Sequence, residues 1–367
     1  MPSRVDFNRT INKVSSNPLA PPDILLSSGF IDLQVNGFAG VDFNDPLTPA
    51  ASFQKALLAL LATGVTRFLA TVITGSPEAM VAALRNLDAA RQHLPLGRMM
   101  AGFHIEGPNI GAEDGPRGAH PVRWVRPPDM EEFRRWQEAA NGLIRLVTLS
   151  PHWPESTAFI KALTKAGVVV SIGHTGASAG QITAAVDAGA TLSTHLGNAA
   201  HSELRRHPNY LWDQLAEDRL SASFIVDGIH LGEAFLRVAL RAKGIERSIL
   251  VTDAAAPAGA APGPYRLGEL DVELTPDDRV VLAGRQKLAG SSLRMNRAIS
   301  NVARIGGLQL RDAVQMATTN PARLLGMSSG LKQGAPADIV VFREGDPLQI
   351  EAVYLDGEKV YQDHSCS

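Results

Sequence analysis

Two histidines one βα repeat apart carry the first sign of chemistry in this sequence. His174 closes an apolar run at residues 168–174, and His195 lies in a second run at residues 191–197. The carboxyl ends of parallel strands open on the same rim of an α/β sheet, so this spacing predicts two imidazoles side by side. Each histidine taken singly is also explained as a hydrogen-bonded residue at a strand end. The pair favours a metal site.

A carboxylate completes a candidate ligand set. The run at residues 99–106 ends in Glu106, and strand alternation places His104 and Glu106 on the same side of the strand. Joined to His174 and His195, Glu106 gives a His₂Glu set with a fourth position open for water, the pattern of a catalytic rather than a structural zinc. Alone, Glu106 would more often be a surface ion-pair residue. His104 is expected to support the ligands.

Three further residues are candidates for work on a substrate. Asp253 ends an apolar run, where its carboxylate could accept a proton from an activated water and pass it to a leaving nitrogen. A helix N-cap or a turn is its alternative role. His120 and His230 lie on predicted loops, where either could bind substrate or simply be solvated.

Eight apolar runs bounded by turns must position these residues. Helical segments between several of them end on glycine (Gly64, Gly167, Gly189 and Gly244), and a left-handed glycine there turns the chain back. Eight such units predict an α/β fold, a closed (β/α)₈ TIM-like barrel, with a doubly wound open sheet as the alternative. The predicted strands are 29–37, 66–74, 99–106, 144–151, 168–174, 191–197, 222–228 and 249–253.

The barrel is predicted to span residues 29–330. Residues 1–28 form an N-terminal arm that contributes to a small β domain, and residues 331–367 supply its C-terminal strands, because short strand patterns follow Gly330. Further elements are predicted as a loop over the barrel mouth at 254–270, a hairpin at 269–283, and helices at 291–305 and 310–325.

The first predicted strand carries amides where metal-dependent hydrolases on this barrel often carry His-x-His. These amides are Gln34 and Asn36. Amides are poor ligands for a borderline cation such as zinc, so one metal ion is expected rather than two. Gln34 is either an ordinary hydrogen-bonding residue or has a water-mediated role near the metal.

The composition excludes several classes of partner. Lys plus Arg number 35 and Asp plus Glu 37, so the net charge of −2 gives no basic surface for nucleic acid. The single cysteine, Cys366, permits no disulfide within the chain, which fits a reducing compartment. Because the chain lacks long apolar runs and a signal peptide core, a cytoplasmic protein without a membrane partner is expected.

Together the motifs resemble the N-acetylglucosamine-6-phosphate deacetylase family of the amidohydrolase superfamily. They run in the family's order from Gly29 to Gly326: GFIDLQVNG, FHIEGP, SIGHT, THLGNA, DGIH, LVTDAAAPAG, LAGSSLRM and ATTNPARLLG. Each motif alone is weak, whereas the set is specific. The resemblance implies a distorted (β/α)₈ barrel of the metal-dependent hydrolase type with a small β-sandwich domain, usually as a homodimer.

The resemblance also implies the metal and its chemistry. Glu106, His174 and His195 would hold one divalent ion per chain, with Asp253 as the catalytic acid and base. Gln34 matches the subgroup that keeps one metal. Zn²⁺ is the expected ion, and Fe²⁺, Mn²⁺ and Co²⁺ suit the same donors.

The substrate contacts follow from the same resemblance. His120 would polarise the acetyl carbonyl or hold the sugar, and His230 would touch the phosphate side of the substrate. Asn198 and Ala199 would offer backbone N–H groups, and Arg206 would fall near the family's phosphate-binding arginine.

Three departures from the family bear on these implications. Gly197 stands where the family has an aromatic residue, and the segment AHSELRRHPNYLWDQLA at 200–216 is not the family's usual sequence. The N-terminal arm is also shorter. Because phosphate capture depends on residues 200–216, deacetylation has more sequence support than the 6-phosphate.

The sequence therefore predicts a metal-dependent hydrolase of an N-acyl amino sugar. The expected reaction converts N-acetyl-D-glucosamine 6-phosphate to D-glucosamine 6-phosphate and acetate in amino-sugar catabolism. A related amidohydrolase acting on an unphosphorylated N-acyl sugar, an N-acyl amino acid or a cyclic amide is the alternative. A barrel that has lost catalysis and serves as a scaffold is a third possibility, which the four site residues Glu106, His174, His195 and Asp253 argue against.

Overall fold

A parallel eight-stranded barrel sheet dominates the computed structural model, which describes residues 3–16 and 23–363. Each strand pairs with the next one along the chain, so all eight predicted strands are confirmed. In chain order they are β1 (Phe30–Val35), β2 (Val65–Ile73), β3 (Met100–Glu106), β4 (Ile144–Leu149), β5 (Val169–Ile172), β6 (Leu192–Ser193), β7 (Ser221–Phe224) and β8 (Ser248–Leu250).

The sheet is nearly closed between β8 and β1. A parallel bridge joins Val35 to Ala254, and the Asn36 N–H donates to the Ala254 carbonyl over 2.7 Å. At the same seam the Thr252 hydroxyl donates to Asp32 over 2.6 Å. The open doubly wound sheet is therefore wrong, because the two edges that it requires meet each other here.

Helices cover the outside of the barrel, so its strands are buried on both faces, as parallel sheets require. Helix starts follow local capping rules: Ser178 and Gln181 form a reciprocal capping box, and the Ser76 hydroxyl accepts from the Ala79 N–H. The helices are Ala50–Leu61, Pro77–His93, Met130–Ala139, Ser156–Lys165, Ala179–Asp187, Tyr210–Ala216, Glu233–Lys243, Met295–Gly306, Leu310–Met316 and Thr319–Leu324. None of the described helices has the length and apolarity that a bilayer crossing requires.

A four-stranded antiparallel sheet brings the two ends of the chain together. Its strands, in spatial order, are Glu358–Gln362, Gln349–Leu355, Ile339–Arg343 and Ile24–Ser28. The hairpin of Ser3–Phe7 and Ile11–Ser16 packs against it, with the ring centroids of Phe7 and Tyr354 5.3 Å apart. The N-terminal arm thus supplies a hairpin and one strand, as expected of a small β sandwich. The boundaries at 28 and 330 stay a prediction, and Cys366 lies outside the described residues.

Two predicted elements need correction. Part of the predicted loop at 254–270 is strand, because Gly263–Leu267, Leu270–Leu274 and Val280–Leu282 form a three-stranded antiparallel sheet with alternating burial. The long helix at 310–325 breaks at Thr318, because Pro321 has no N–H to donate to the Ala317 carbonyl and fits only a helical first turn. The remaining strands, Gly37–Phe38 and Val41–Asp42, pair as a short hairpin.

The predicted glycine junctions are left-handed turns, and they generate a stability test. Gly64 has φ +85°, and a Cβ there would lie 2.5 Å from the Phe30 ring. Gly167 has φ +77° with open space around it, whereas Gly180 lies in a helix with open space. We expect Gly64→Ala to lower the free energy of unfolding most and Gly167→Ala to lower it by about 1–2 kcal/mol. Gly180→Ala, the control, should leave it unchanged or raise it by up to about 1 kcal/mol. Urea unfolding measures all three, and equal effects would contradict this account of the junctions.

Candidate active site

Three residues at the carboxyl rim of the barrel share an unusual backbone conformation. His174, His195 and Asp253 follow β5, β6 and β8 and have φ of +50°, +29° and +51°. Side chains other than glycine rarely adopt this region, and it concentrates at functional sites. Each of these three strands is therefore followed by a turn that places one polar side chain at the rim.

The predicted metal ligands come together at this rim. Glu106 Oε1 lies 2.9 Å from His195 Nε2 and 3.2 Å from His174 Nε2, and the ligand atoms of the three buried residues all lie within 4.8 Å of one another. His174 Nδ1 lies 2.9 Å from the Pro116 carbonyl oxygen, which can only accept. A neutral His174 therefore turns the lone pair of Nε2 towards Glu106.

The electrostatics of this cluster fit a bound cation. Burial raises the pKa of Glu106, but hydrogen bonds from His174 and His195 and their charges outweigh burial and hold that pKa well below its usual range. Burial lowers the pKa of His195, and the hydrogen bond and charge of Glu106 more than restore it, so that it lies above its usual value. Either protonated imidazoles or a divalent ion must balance the carboxylate. A Glu/His₂ donor set fits the ion.

Asp253 is clamped by two amides. Its Oδ1 accepts from Asn36 Nδ2 over 2.7 Å and from Gln34 Nε2 over 3.0 Å, and Gln34 Nε2 also donates to Glu106 Oε1 over 2.7 Å. Burial, helped by the charge of Glu106, raises the pKa of Asp253 to about 6. Within the described chain Oδ2 has no hydrogen-bond donor, so this oxygen is left to exchange a proton.

His120 faces the same cluster from a loop. Its Nδ1 lies 2.7 Å from the Thr74 hydroxyl, its Nε2 lies 4.0 Å from Glu106 Oε2, and its ring centroid lies 4.5 Å from that of His174. Burial, with a contribution from the charge of His174, lowers the pKa of His120 to about 3. The imidazole is therefore neutral.

His230 is oriented by a carboxylate that sequence reasoning did not single out. Its Nδ1 lies 2.6 Å from Asp227 Oδ2, and Asp227 Oδ1 accepts from the backbone N–H groups of Ile229 and His230, each over 2.8 Å. An aspartate that accepts from the next residues of its own turn is a local pattern, so DGIH contained this signal. Asp227 thereby engages Nδ1, and Nε2 of His230 has no hydrogen-bond partner among residues 3–16 and 23–363.

A cavity of about 280 Å³ collects most of the predicted site residues. Gln34 is buried and contacts two of the lining carboxylates without lining the cavity itself. Arg206 is exposed and does not line it. The predicted residues that line it are Glu106, His120, His174, His195, Asn198, Ala199, His230 and Asp253.

The two predicted N–H donors differ in whether the protein already uses them. The Asn198 N–H donates to the His195 carbonyl over 3.0 Å, so the protein already uses it. The N–H of Ala199 has no acceptor among residues 3–16 and 23–363. Of the two, Ala199 is the donor left for a ligand.

Sequence reasoning also missed the roles of Asn36 and Thr74. It assessed Asn36 only as a poor metal ligand, although Asn36 lies two residues after Gln34 and so on the same face of the chain. Thr74 lies directly after the end of β2, at the same rim as the ligands. Both signals were present as positions at strand ends.

Comparison with known proteins identifies the family. The amidohydrolase family model matches residues 25–360. An N-acetylglucosamine-6-phosphate deacetylase of Bos taurus is 37% identical over 353 residues, covering 92% of this chain and 84% of the relative. The enzyme of the same name from Bacillus subtilis (strain 168) is 32% identical, covering 92% of this chain and 86% of the relative.

A solved structure agrees with these relatives. It is a variant of N-acetyl-D-glucosamine-6-phosphate deacetylase from Mycobacterium smegmatis in complex with N-acetyl-D-glucosamine-6-phosphate. It is 33% identical to this chain, with a TM-score of 0.88 over 97% of this chain and 93% of its own. The chain therefore belongs to the amidohydrolase family and, within it, to the N-acetylglucosamine-6-phosphate deacetylases.

Proposed function

We propose that this protein hydrolyses N-acetyl-D-glucosamine 6-phosphate to D-glucosamine 6-phosphate and acetate in amino-sugar metabolism. The observation that carries the proposal is the convergence of Glu106, His174, His195 and Asp253 on one cavity in a chain whose relatives are named for that reaction. Amide hydrolysis needs an acid-base group beside an activated water. Asp253 is the proposed acid-base group, and Glu106, His174 and His195 would hold the ion that activates the water.

Glu106, His174 and His195 would hold one divalent ion, with Zn²⁺ proposed because nitrogen and oxygen donors of this kind suit it. When bound, the ion supplies Lewis-acid chemistry: it polarises a carbonyl oxygen and makes a water molecule acidic. The Pro116 carbonyl fixes the proton of His174 on Nδ1, so Nε2 is the nitrogen offered to the ion.

Asp253 moves the proton. Its Oδ1 is occupied by Asn36 and Gln34, so Oδ2 takes a proton from the attacking water and then gives it to the departing amine. Burial raises the pKa of Asp253 above its usual value, which favours proton uptake by this carboxyl.

His120 acts on the carbonyl. The Thr74 hydroxyl can donate to Nδ1, and in that tautomer the neutral ring carries its proton on Nε2 and donates it to the developing oxyanion. His230, oriented by Asp227, is proposed to contact the sugar or its phosphate side. Asn198, Ala199 and Arg206 stay predictions as substrate contacts. The backbone N–H and the side-chain Nδ2 of Asn198 both donate to the His195 carbonyl, so its side-chain oxygen is the atom that it could offer a substrate.

A homodimer and a cytoplasmic location belong to the same proposal. Their support is the family resemblance and the absence of a disulfide framework from a chain with one cysteine. Gel filtration with light scattering tests the first.

Acetate release tests the reaction directly. Purified protein is incubated with N-acetylglucosamine 6-phosphate and, in parallel, with N-acetylglucosamine, while bound metal is quantified in the same sample. We expect acetate from the phosphorylated sugar, a kcat/KM at least about tenfold above that of the free sugar, and close to one ion per chain. Metal without cleavage of either sugar would refute the substrate and keep the hydrolase site.

Asp253→Asn tests the proton carrier. The amide keeps an oxygen for Asn36 and Gln34 but cannot accept the proton, so kcat should fall by at least about 100-fold while the metal stays bound. Asp277→Asn, an exposed carboxylate paired with Arg279, is the matched control and should be fully active. Normal turnover by Asp253→Asn would remove Asp253 from this role.

His195→Asn tests the ligand set. The shorter amide withdraws one of three donors, so the metal measured by mass spectrometry should fall well below that of the parent protein. His93→Asn changes an exposed histidine at the end of the helix Pro77–His93 and should leave the metal content unchanged. Full metal in His195→Asn would mean that His195 is not a ligand.

A further inference from the structure

A lysine lies at the mouth of the cavity, where it could recognise a strong anion. Among its lining residues in the described chain, Lys287 is the one lysine or arginine. Lys287 also lines an outer depression with Gly115 and Ala200, so it marks the boundary between the cavity and the surface. Arg206, which the resemblance places near the phosphate, lines neither.

We propose that the Lys287 ammonium binds the phosphate monoester of the substrate and so selects phosphorylated over unphosphorylated amino sugars. The inference rests on the proposed function and names the residue that sets specificity at its site. The alternative is a purely structural role, in which Lys287 holds two loops together through its contact with Asp114.

The local charge balance favours an anion at Lys287. Asp114 Oδ1 contacts Lys287 Nζ and lies 3.3 Å from Arg117 Nη2, so two cations share one carboxylate and the group keeps a net charge of about +1. An ammonium has three donors, and Asp114 takes one. The Lys287 side chain is 32% exposed, so the other donors are accessible to a ligand.

Backbone donors lie beside Lys287. The N–H groups of Ala199 and Ala200 have no acceptor in the described parts of the chain, and Ala200 lines both the cavity and the outer depression. Ala199 has φ +47°. Consecutive N–H groups with one residue in the left-handed region form a concavity that binds anions. A phosphate bound by Lys287 would find these donors at the same boundary.

The proposed function assigns the inner end of the cavity to the acetyl group. Glu106 and Asp253 line that end, and the divalent ion that Glu106 would help to hold acts on the carbonyl there. Glu203, exposed in the outer depression, repels an anion farther out. A sugar with its acetyl group inward therefore directs its phosphate to the boundary at Lys287.

Lys287→Met tests the assignment on the intact enzyme. We expect the KM for N-acetylglucosamine 6-phosphate to rise at least about tenfold, with kcat and the kcat/KM for N-acetylglucosamine unchanged, because only the phosphate loses its charge-assisted hydrogen bond. Lys287→Arg should restore most of the affinity. Arg285→Met removes a charge two residues away on an exposed side chain that does not line the cavity, so its KM should stay at the parent value.

Asp114→Asn separates phosphate binding from loop attachment. If Lys287 binds phosphate, neutralising Asp114 should leave the KM for the phosphorylated sugar equal or lower, because a competing anion is lost. A rise matching that of Lys287→Met would overturn the proposal in favour of loop attachment. Loss of selectivity in Arg206→Met, with Lys287→Met unaffected, would also overturn it.

The parent protein distinguishes failure of the proposed function from failure of this inference. If the parent releases no acetate from the phosphorylated sugar, the proposed function fails. If the parent releases acetate and Lys287→Met keeps the selectivity for the phosphorylated sugar, only the inference fails.

Discussion

The buried carboxylate of Glu106 is the constraint on which the rest of the site depends. It lies inside the barrel rim, within 3.2 Å of the Nε2 atoms of both His174 and His195. Pro116 holds the proton of His174 on the opposite nitrogen, so a neutral imidazole presents a lone pair to a carboxylate. Positive charge must balance this carboxylate, either as protons on the imidazole rings or as a divalent ion. Of the two, the divalent ion would also supply Lewis-acid chemistry for catalysis.

The barrel supplies the geometry through its strand ends. β5, β6 and β8 each release the chain into a left-handed residue that carries a site side chain, and β3 ends on Glu106 itself. Strand pairing fixes where these ends lie, while helices on the outside leave the rim open. The positions of the site side chains thus depend on where the barrel strands end.

Most of this arrangement could be predicted, because it follows from periodicity. Apolar runs marked the strands, glycines such as Gly64 marked the return turns, and residues at strand ends had to share one rim. The helix break at Thr318 was missed although Pro321 marks it, because the apolar pattern runs on through the break. The strand Gly263–Leu267 was missed because its pairing with Leu270–Leu274 outweighs a composition rich in Pro and Gly. The use of the Asn198 N–H by His195 depends on the loop path, which no spacing in the sequence encodes.

The amides of β1 and its end are the reason for proposing one ion rather than two. The Nε2 group of Gln34 has two hydrogens, and it directs them at Glu106 and Asp253; Asn36 adds a donor to the same oxygen of Asp253. These N–H groups partly compensate two neighbouring carboxylates that would otherwise repel each other. A cation placed between the carboxylates would meet the positive ends of the amide dipoles instead of lone pairs. Gln34 and Asn36 therefore form a hydrogen-bonded clamp where imidazoles could have bound a second metal ion, and Asp253 Oδ2, which has no donor in the described chain, stays available for the proposed proton transfer.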